Sequence, residues 1–449
     1  RSSLNQSETP KPQSPALTVI PPSPVTDKIT LDLRGAVRNI EDVTQAVQWS
    51  ISIISPNRTQ EIQSGEMIIP PQAWQGVRVR WPARGHGGMN TIVFSVSDEI
   101  QTATAACAVE IIPSPDRSTR QIDGAWLEFY HWSEAEGKLW NPEIRKLTDD
   151  QWQEQVRGMH DLGMNIIVIE ETFRNQFYYC KHDIPQSGYQ GKAYYPSRLY
   201  PGRMEIAARD PVEAALAQAD ALNMQAFMGV GLYAWFDFTP ESLQWHKEVA
   251  SELWERYGHH PSFYGWYIAE ETPGMLHVYG EDTPEQIARY QQEIVAFFQG
   301  FREHVHRFAP HKPIMLAPNC HFMKQAEAAW RQLAKYCDII IPFGFHRMPP
   351  GDVTGEEVAA WFQQLCDDSG AHLWMDMEVF LFGPEGELYP RPIEGLLSDL
   401  LRFPTFEKIL CYQYPGLLNA PGASIQPGGE ATVKLFTDYQ RYYRTRRKD

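Results

Sequence analysis

The sequence has little of what defines several common classes of protein. Its 449 residues include only six cysteines, none in a CxxC pair and none grouped with histidine at zinc-ligand spacing. No apolar run reaches the roughly 18 residues expected of a membrane-spanning helix. Basic residues are outnumbered, with 40 Lys and Arg against 56 Asp and Glu, which gives a net charge of −16. That balance argues against nucleic-acid binding, because a nucleic-acid binder needs a basic face to offset phosphates.

The sequence does contain a large apolar and aromatic fraction. Hydrophobic residues make up 43% and charged residues 21%, which is typical of a globular protein with a large core. Aromatic residues reach 12%, including 14 Trp. An acidic protein rich in Trp is often carbohydrate-active, because sugar rings stack on indole faces, although part of these aromatics belongs to the core. We therefore expect a carbohydrate partner, and the sequence predicts no oligomeric state.

The chain divides into segments of different periodicity. Residues 1–16 are rich in Ser and Pro and predict a flexible tether. A removed secretory or lipoprotein signal would fit such a start, so we expect an exported protein, periplasmic, cell-surface or secreted. Residues 17–112 hold short alternating runs separated by turn residues, which predict a small Ig-like β-sandwich. Residues 113–121 have the composition of a linker, and residues 122–449 form the last segment.

In this last segment, strand-like apolar runs alternate with amphipathic stretches. Each run is apolar almost to its end, as expected of parallel strands buried on both faces. Eight such alternations predict a (β/α)8 TIM barrel, so the fold class is α/β with a small all-β domain in front. A doubly wound open sheet is the alternative, but Gly229-Val230-Gly231 lacks the third glycine of its phosphate loop. The runs are 122–130, 165–171, 225–233, 263–271, 313–319, 338–345, 372–380 and 408–416.

Carboxylates collect at the carboxyl ends of the runs, where barrel enzymes hold their active sites. Glu270 and Glu271 end the fourth run, and Glu378 lies in the seventh. These two strands lie on roughly opposite sides of a barrel, so their carboxylates can face each other across its mouth. Glycoside hydrolysis needs such a pair: one carboxylic acid protonates the leaving oxygen, and the other attacks the anomeric carbon or activates water. The three glutamates are therefore the candidate catalytic residues.

Other side chains at the same strand ends are candidates for substrate binding. Trp132 and Trp235 lie just past strand ends and are the favoured platforms for sugar stacking, whereas Trp266 and Trp374 are expected inside the barrel. The complete set of substrate-binding candidates is Glu171, Trp132, Tyr233, Trp235, Asn319, His321, His346, Asp376 and Tyr414.

Three other functions compete with a retaining glycoside hydrolase. A metal-dependent hydrolase usually has an H-x-H pair on the first strand, which is missing, and His259-His260 precedes the fourth run in a turn. An inverting or transglycosylating enzyme could use the same barrel, and so could a non-catalytic carbohydrate-binding protein. Because the favoured chemistry uses two carboxylates and water, we expect no metal and no organic cofactor.

Two stretches carry a family resemblance. Trp266-Tyr-Ile-Ala-Glu270-Glu271-Thr-Pro resembles the "W-x-x-x-N-E-P" stretch on strand four of the large clan of retaining glycoside hydrolases, with Glu270 where the clan has Asn. The resemblance implies that Glu271 is the acid/base and Glu378 the nucleophile. Over roughly residues 120–440 the chain is also similar to the DUF4434 group of barrel proteins, through Gly265-Trp-Tyr-Ile and Ile122-Asp-Gly-Ala-Trp-Leu. In that group Glu270 is the more constant acid, so both glutamates are retained.

Overall fold

The computed structural model describes residues 14–175, 191–200, 202–231 and 236–447. The chain forms two compact units. The first contains the chain up to Pro115 together with Val305–Lys312, and the second contains Asp116–His304 and the chain from Pro313 onward. The division at Pro115 falls within the predicted linker, and the domain boundaries stay predictions. Residues 1–13 of the predicted tether lie outside the described residues. Across the described ranges, no helix is both long and apolar enough to span a bilayer.

The first unit contains two β-sheets, in the orders β1-β3-β6 and β2-β8-β7-β4-β5. Buried side chains from both sheets meet in one shared core. Ile51 lies opposite Phe94 on the neighbouring strand of one sheet. Gly35 belongs to the other sheet, and a Cβ at this position would lie only 2.7 Å from the Phe94 ring. The predicted all-β sandwich is confirmed. Its strands are β1 (Ala16–Ile20), β2 (Val25–Thr26), β3 (Thr30–Arg38), β4 (Gln45–Ser55), β5 (Arg58–Ile69), β6 (Trp74–Pro82), β7 (Gly88–Ser97) and β8 (Thr102–Ile112).

The second unit contains all the remaining strands. Each of the eight predicted apolar runs contains at least one of them. They are β9 (Gly124–Leu127), β10 (Ile166–Ile169), β11 (Phe173–Asn175), β12 (Gly191–Ala193), β13 (Gly202–Arg203), β14 (Gln225–Gly229), β15 (Phe263–Thr272), β16 (Ile314–Pro318), β17 (Ile339–Ile340), β18 (His372–Leu373), β19 (Met375–Glu378), β20 (Phe380–Phe382), β21 (Leu388–Pro390) and β22 (Ile409–Tyr412).

Nine of these strands form one parallel sheet in the order β18-β17-β16-β15-β14-β10-β9-β22-β19. Only Trp374 separates β18 from β19, so the two ends of this order belong to a single stretch of chain and the sheet closes on itself. The predicted (β/α)8 barrel is therefore confirmed. In chain order, barrel strands one to eight are β9, β10, β14, β15, β16, β17, β18 with β19, and β22.

Several helices begin directly after a residue whose side chain caps them. Thr148 and Thr354 each form a reciprocal capping box with the residue three positions later. Asp210 accepts a hydrogen bond from the Glu213 backbone N–H, but the Glu213 side chain bonds to His260 and does not close the box. The helices are α1 (Asn141–Ile144), α2 (Asp149–Asp161), α3 (Pro211–Ala221), α4 (Pro240–Tyr257), α5 (Pro284–His306), α6 (Glu327–Leu333), α7 (Gly355–Ser369), α8 (Ile393–Arg402) and α9 (Glu430–Arg446).

Two of the loops at the carboxyl ends of the barrel strands contain structure of their own. Strands β11, β12 and β13 form a small sheet after barrel strand two. Strands β20 and β21 pair as a hairpin directly after barrel strand seven. Residues 176–190 and 201, which follow barrel strand two, lie outside the described residues.

Candidate active site

A cavity of about 350 Å³ opens at the carboxyl ends of the barrel strands. Its volume lies in the range typical of small-molecule binding sites. Polar and aromatic side chains from several strands share its wall, so the cavity depends on the closed barrel and not on one local motif. The carboxylates that line it are Glu136, Glu170, Glu271, Asp376 and Glu378.

The alternation of side chains along barrel strand four determines which of the two glutamates near its end reaches the cavity. Successive side chains of a strand point to opposite faces. Tyr267, Ala269 and Glu271 line the cavity, whereas Glu270 does not. Glu270 is buried, and its carboxylate accepts a hydrogen bond from the Asp237 backbone N–H at 3.5 Å. Of the two candidate acids, Glu271 is therefore the one placed to meet a bound ligand.

Barrel strand seven contributes two acids on the same face. Asp376 and Glu378 are two residues apart, and both line the cavity. Arg347 holds Glu378 through two hydrogen bonds, from Nε to Oε1 at 2.7 Å and from Nη2 to Oε2 at 2.9 Å. This bidentate geometry fixes the plane of the Glu378 carboxylate. His346 lies beside it, with Nδ1 3.5 Å from Oε1.

The surroundings of Glu170 and Asp376 strongly raise the proton affinity of both acids. Burial, followed by the charge of Glu378, raises the pKa of Asp376 well above its ordinary value. Burial, followed by the charges of neighbouring carboxylates, first Glu128 and then Glu171, raises the pKa of Glu170 in the same way. One oxygen of each, Glu170 Oε2 and Asp376 Oδ1, has no hydrogen-bond partner among the described residues.

A hydrogen-bonded group joins barrel strands one and eight beneath the cavity. His131 Nδ1 lies 2.9 Å from Glu128 Oε2, and the Tyr412 hydroxyl donates to the same oxygen at 2.6 Å. His131 Nε2 lies 3.6 Å from Glu136 Oε1. Although burial alone lowers the pKa of His131, the charges of Glu128 and Glu136 raise it to about 9. The imidazole is therefore a cation at neutral pH, fixed between two carboxylates.

Aromatic rings supply much of the remaining wall. Trp132, a predicted stacking platform, lines the cavity, as does Trp126 at the end of barrel strand one. Phe380 and Phe382, from the hairpin after barrel strand seven, line it too. Rings of this kind provide flat apolar faces beside the carboxylates. Trp266 and Trp374, which are expected inside the barrel, are both fully buried and do not line the cavity.

Four of the predicted site residues line the cavity, namely Glu271, Glu378, Trp132 and Asp376. Glu171 does not, because it is buried and bonded to Arg174 and Tyr194. His346 reaches the site only through Glu378. Tyr233 and Trp235 lie outside the described residues.

The other three predicted residues are engaged away from the cavity wall. Asn319 accepts hydrogen bonds from the backbone N–H groups of Gly274 and His321. His321 Nε2 lies 3.1 Å from the Gly344 carbonyl. Tyr414 is fully buried and its hydroxyl approaches helix α2, where a Cβ on Gly158 would lie 2.1 Å away. These three side chains stabilise the turns and layers around the barrel.

Several cavity residues were not selected from the sequence. Glu170 ends the second apolar run beside Glu171, and strand alternation places the first of the two on the cavity wall. Arg347 follows the sixth run, and Tyr412 ends barrel strand eight. Their position at strand ends was the available signal. Side-chain direction in a strand buried on both faces was not readable from the hydrophobic pattern.

One group of side chains in the described part of the chain has the composition of a metal site. Candidate ligand atoms of Glu213, His259 and His260 lie within 4.8 Å of one another. Both ring nitrogens of His260 are already near carboxylates, with Nδ1 2.5 Å from Asp220 and Nε2 2.8 Å from Glu213. The group precedes barrel strand four, away from the carboxyl ends that form the cavity. Its arrangement is that of an ion-paired histidine.

The fold and the carboxylate-lined cavity define a (β/α)8 barrel with an acidic cavity at the carboxyl ends of its strands and an all-β domain before it in the chain. The chain belongs to the DUF4434 family, a domain of unknown function, which matches residues 122–425. The predicted family membership is therefore confirmed. No match is found among curated proteins.

Two solved structures illustrate the likeness of the fold. A candidate α-L-fucosidase from Bacteroides thetaiotaomicron is 17% identical, with a TM-score of 0.50 over 74% of this chain and 95% of that one. The β-glucuronidase 2 of Bacteroides uniformis is 13% identical, with a TM-score of 0.44 over 96% of this chain and 50% of that one. At these identities the comparison concerns the fold alone.

Proposed function

We propose that this protein is a glycoside hydrolase that cleaves a glycosidic bond in an oligosaccharide or polysaccharide. The observation that carries the proposal is the placement of Glu271 and Glu378, from barrel strands four and seven, on the wall of one cavity. Aromatic side chains such as Trp132 line the same wall and offer faces on which a sugar ring can stack. A fold by itself would not support an activity, so the proposal depends on these side chains.

We assign Glu378 as the nucleophile and Glu271 as the acid/base. Arg347 holds the Glu378 carboxylate in one orientation, which favours attack by a fixed oxygen on the anomeric carbon. Glu271 would then protonate the leaving oxygen and afterwards take a proton from the attacking water. In this assignment Glu270 has a structural role at the end of barrel strand four, where its carboxylate accepts a hydrogen bond from the Asp237 backbone N–H.

Two adjacent variants test the assignment, after a panel of glycans has identified a substrate. Glu271→Gln should lose at least about a hundredfold in kcat on substrates with poor leaving groups and much less on activated aryl glycosides, because only poor leaving groups need protonation. Glu270→Gln is the matched control, since it removes a neighbouring charge outside the cavity. If Glu270→Gln shows the larger loss for poor leaving groups, the two roles are reversed.

The stereochemistry of the product tests the role of Glu378. A retaining pair of carboxyl groups lies about 5–5.5 Å apart and an inverting pair about 6.5–9.5 Å apart. The two mechanisms give opposite anomers of the product, so NMR of the first-formed anomer distinguishes them. Glu378→Ala should lose nearly all turnover, and azide should restore part of it with an inverted product. An inverted product from the unmodified enzyme would mean that the reaction proceeds by a single displacement and not by a double one. Absence of turnover on every glycan that binds would contradict the hydrolase proposal.

A further inference from the structure

The charges on the cavity wall are unevenly balanced. Among the described residues, five carboxylates line the cavity, against two cationic side chains, Arg347 and His131. Arg347 is bound in bidentate fashion by Glu378, and His131 is paired with Glu128 behind the wall. Arg347 and His131 are thus paired with Glu378 and Glu128, and within the described part of the chain no ion pair joins either cation to Glu170 or Asp376. The wall presents an excess of acidic groups to whatever enters.

Two of these acids lack hydrogen-bond partners at the cavity. Glu170 is 9% exposed and Asp376 is 5% exposed. Glu170 Oε2 and Asp376 Oδ1 are buried and accept no hydrogen bond from any described residue. A buried polar atom without a partner costs free energy, so native sites usually provide the partner through a ligand or solvent. Both atoms belong to side chains that line the cavity.

Glu170 and Asp376 both influence the pKa of one residue of the cavity wall, Tyr267. The Tyr267 side chain lines the cavity from barrel strand four. Burial raises the pKa of Tyr267 well above its ordinary value, and the charges of Glu170 and then Asp376 raise it further. Glu170 also feels the charge of Asp376 directly. Because both side chains line the same cavity, we define Glu170 and Asp376 together as one acidic subsite.

We propose that this acidic subsite binds the free amino group of an amino sugar, so that the substrate is a glycan containing 2-amino-2-deoxy residues. The inference rests on the proposed function and names its substrate class. An ammonium group offers three donors and no acceptor, which complements two acceptor-rich carboxylates. A uronate brings no cation with which the subsite carboxylates can pair, and it repels each of them that is ionised. An N-acetylated residue offers one amide donor and no charge.

Binding of the amine has a measurable proton balance. Burial and neighbouring charges favour the protonated forms of Glu170 and Asp376 in the empty site. When the ammonium group enters, the carboxylic acid gives its proton to the buffer and remains as a carboxylate paired with the unchanged ammonium. Amine binding should therefore release protons, whereas binding of the N-acetylated counterpart should release none.

The experiment is titration calorimetry of the full chain with matched oligosaccharides of the gluco and galacto series, each in amino, N-acetylated, neutral and uronate forms. Measurements in two buffers of different ionisation enthalpy give the number of protons released. We expect the amino form of at least one series to bind at least about tenfold more tightly than its N-acetylated counterpart, which corresponds to about 1.4 kcal/mol. The uronate forms should bind most weakly.

Variants of the two subsite acids test whether these residues cause the preference for the amino form. Glu170→Gln and Asp376→Asn should each reduce the proton release and the preference for the amino form, measured within each variant as the ratio of its affinities for the amino and N-acetylated forms. The matched control is Glu285→Gln, which removes one carboxylate from an exposed position on helix α5. It should leave both quantities as they are. Circular dichroism and thermal unfolding verify that each variant is folded.

The outcomes separate this inference from the proposed function. If no amino form outbinds its N-acetylated counterpart, or if both variants keep the preference, the inference is wrong. Hydrolysis of neutral glycans without any preference for amino forms would overturn the inference and leave the hydrolase proposal standing. A tenfold preference with proton release but without cleavage of any bound glycan would do the reverse.

Discussion

Replacing Glu128 by Gln is expected to discharge His131 at neutral pH. Glu128 is fully buried, and its Oε2 lies 2.9 Å from His131 Nδ1. Burial alone lowers the pKa of His131, and the charge of Glu128 is the largest influence that raises it. An opposite charge at this distance is worth about 1–3 pKa units, so the variant should titrate well below the wild-type value.

The magnitude follows from the pKa of about 9, compared with 6.5 for a histidine in solvent. At about 1.36 kcal/mol per unit, this shift corresponds to about 3 kcal/mol of stability. Because the folded-state pKa of His131 is raised, this contribution is complete below about pH 6.5 and is lost as the pH rises through 9. The free energy of unfolding of the wild type should therefore approach that of His131→Asn as the pH increases.

The assay combines titration and denaturation. Carbon-13 labelling of histidine, with His131→Asn to assign the resonance, gives the midpoint of His131 directly by NMR. The gap in unfolding free energy between wild type and His131→Asn should shrink by about 3 kcal/mol between about pH 6 and about pH 10. In the Glu128→Gln background the same gap should be nearly independent of pH, which completes a double-mutant cycle. A His131 midpoint below pH 7 in the wild type, or one that Glu128→Gln leaves unmoved, refutes the reasoning.

Three further substitutions test the fold and the limits of the site. Gly124→Ala should destabilise the barrel by about 1–3 kcal/mol or more in denaturant titrations, since its Cβ would lie 2.2 Å from the Ile166 carbonyl oxygen; unchanged stability would mean that the two strands can separate freely. Thr354→Ala removes the capping box of α7 and should cost about 1 kcal/mol in thermal unfolding, with Thr354→Ser as the control that keeps it. Tyr414→Phe should leave kcat/KM within about twofold of wild type, because its hydroxyl points to helix α2 and not to the cavity; a tenfold loss would contradict the placement of Tyr414.

The architecture was predictable from the sequence because parallel strands buried on both faces leave long apolar runs. The same property hides which side of a strand faces the cavity. Along barrel strand four, the side chains that face the cavity include Glu271, and those that face away from it include Glu270. Most other side chains in both groups are apolar. Alternation identifies the two faces of a strand only where one face meets solvent. The choice between the two glutamates therefore needed the structure.

The remaining site residues depend on contacts between distant parts of the chain. Arg347 reaches Glu378 from a turn 31 residues away, and Tyr412 reaches Glu128 across 284 residues. Neither pair has a local spacing that a sequence pattern could reveal. Asn319 stood at a strand end like the residues of the cavity wall, but its side chain accepts hydrogen bonds from the backbone N–H groups of His321 nearby and of Gly274, 45 residues away. A polar strand end is thus a candidate for function or for turn stability, and only the three-dimensional partner decides.

The closure of the barrel has a consequence for biosynthesis. Barrel strand eight pairs with barrel strand one on one side and with barrel strand seven on the other. Until that strand has left the ribosome, the edges of strands one and seven remain unpaired, and an exposed edge can pair with other chains. The Glu128 carboxylate also lacks its Tyr412 partner during that interval. A nascent chain that stalls before residue 409 would therefore be both inactive and prone to aggregation, so chaperone binding should be strongest just before the last strand emerges.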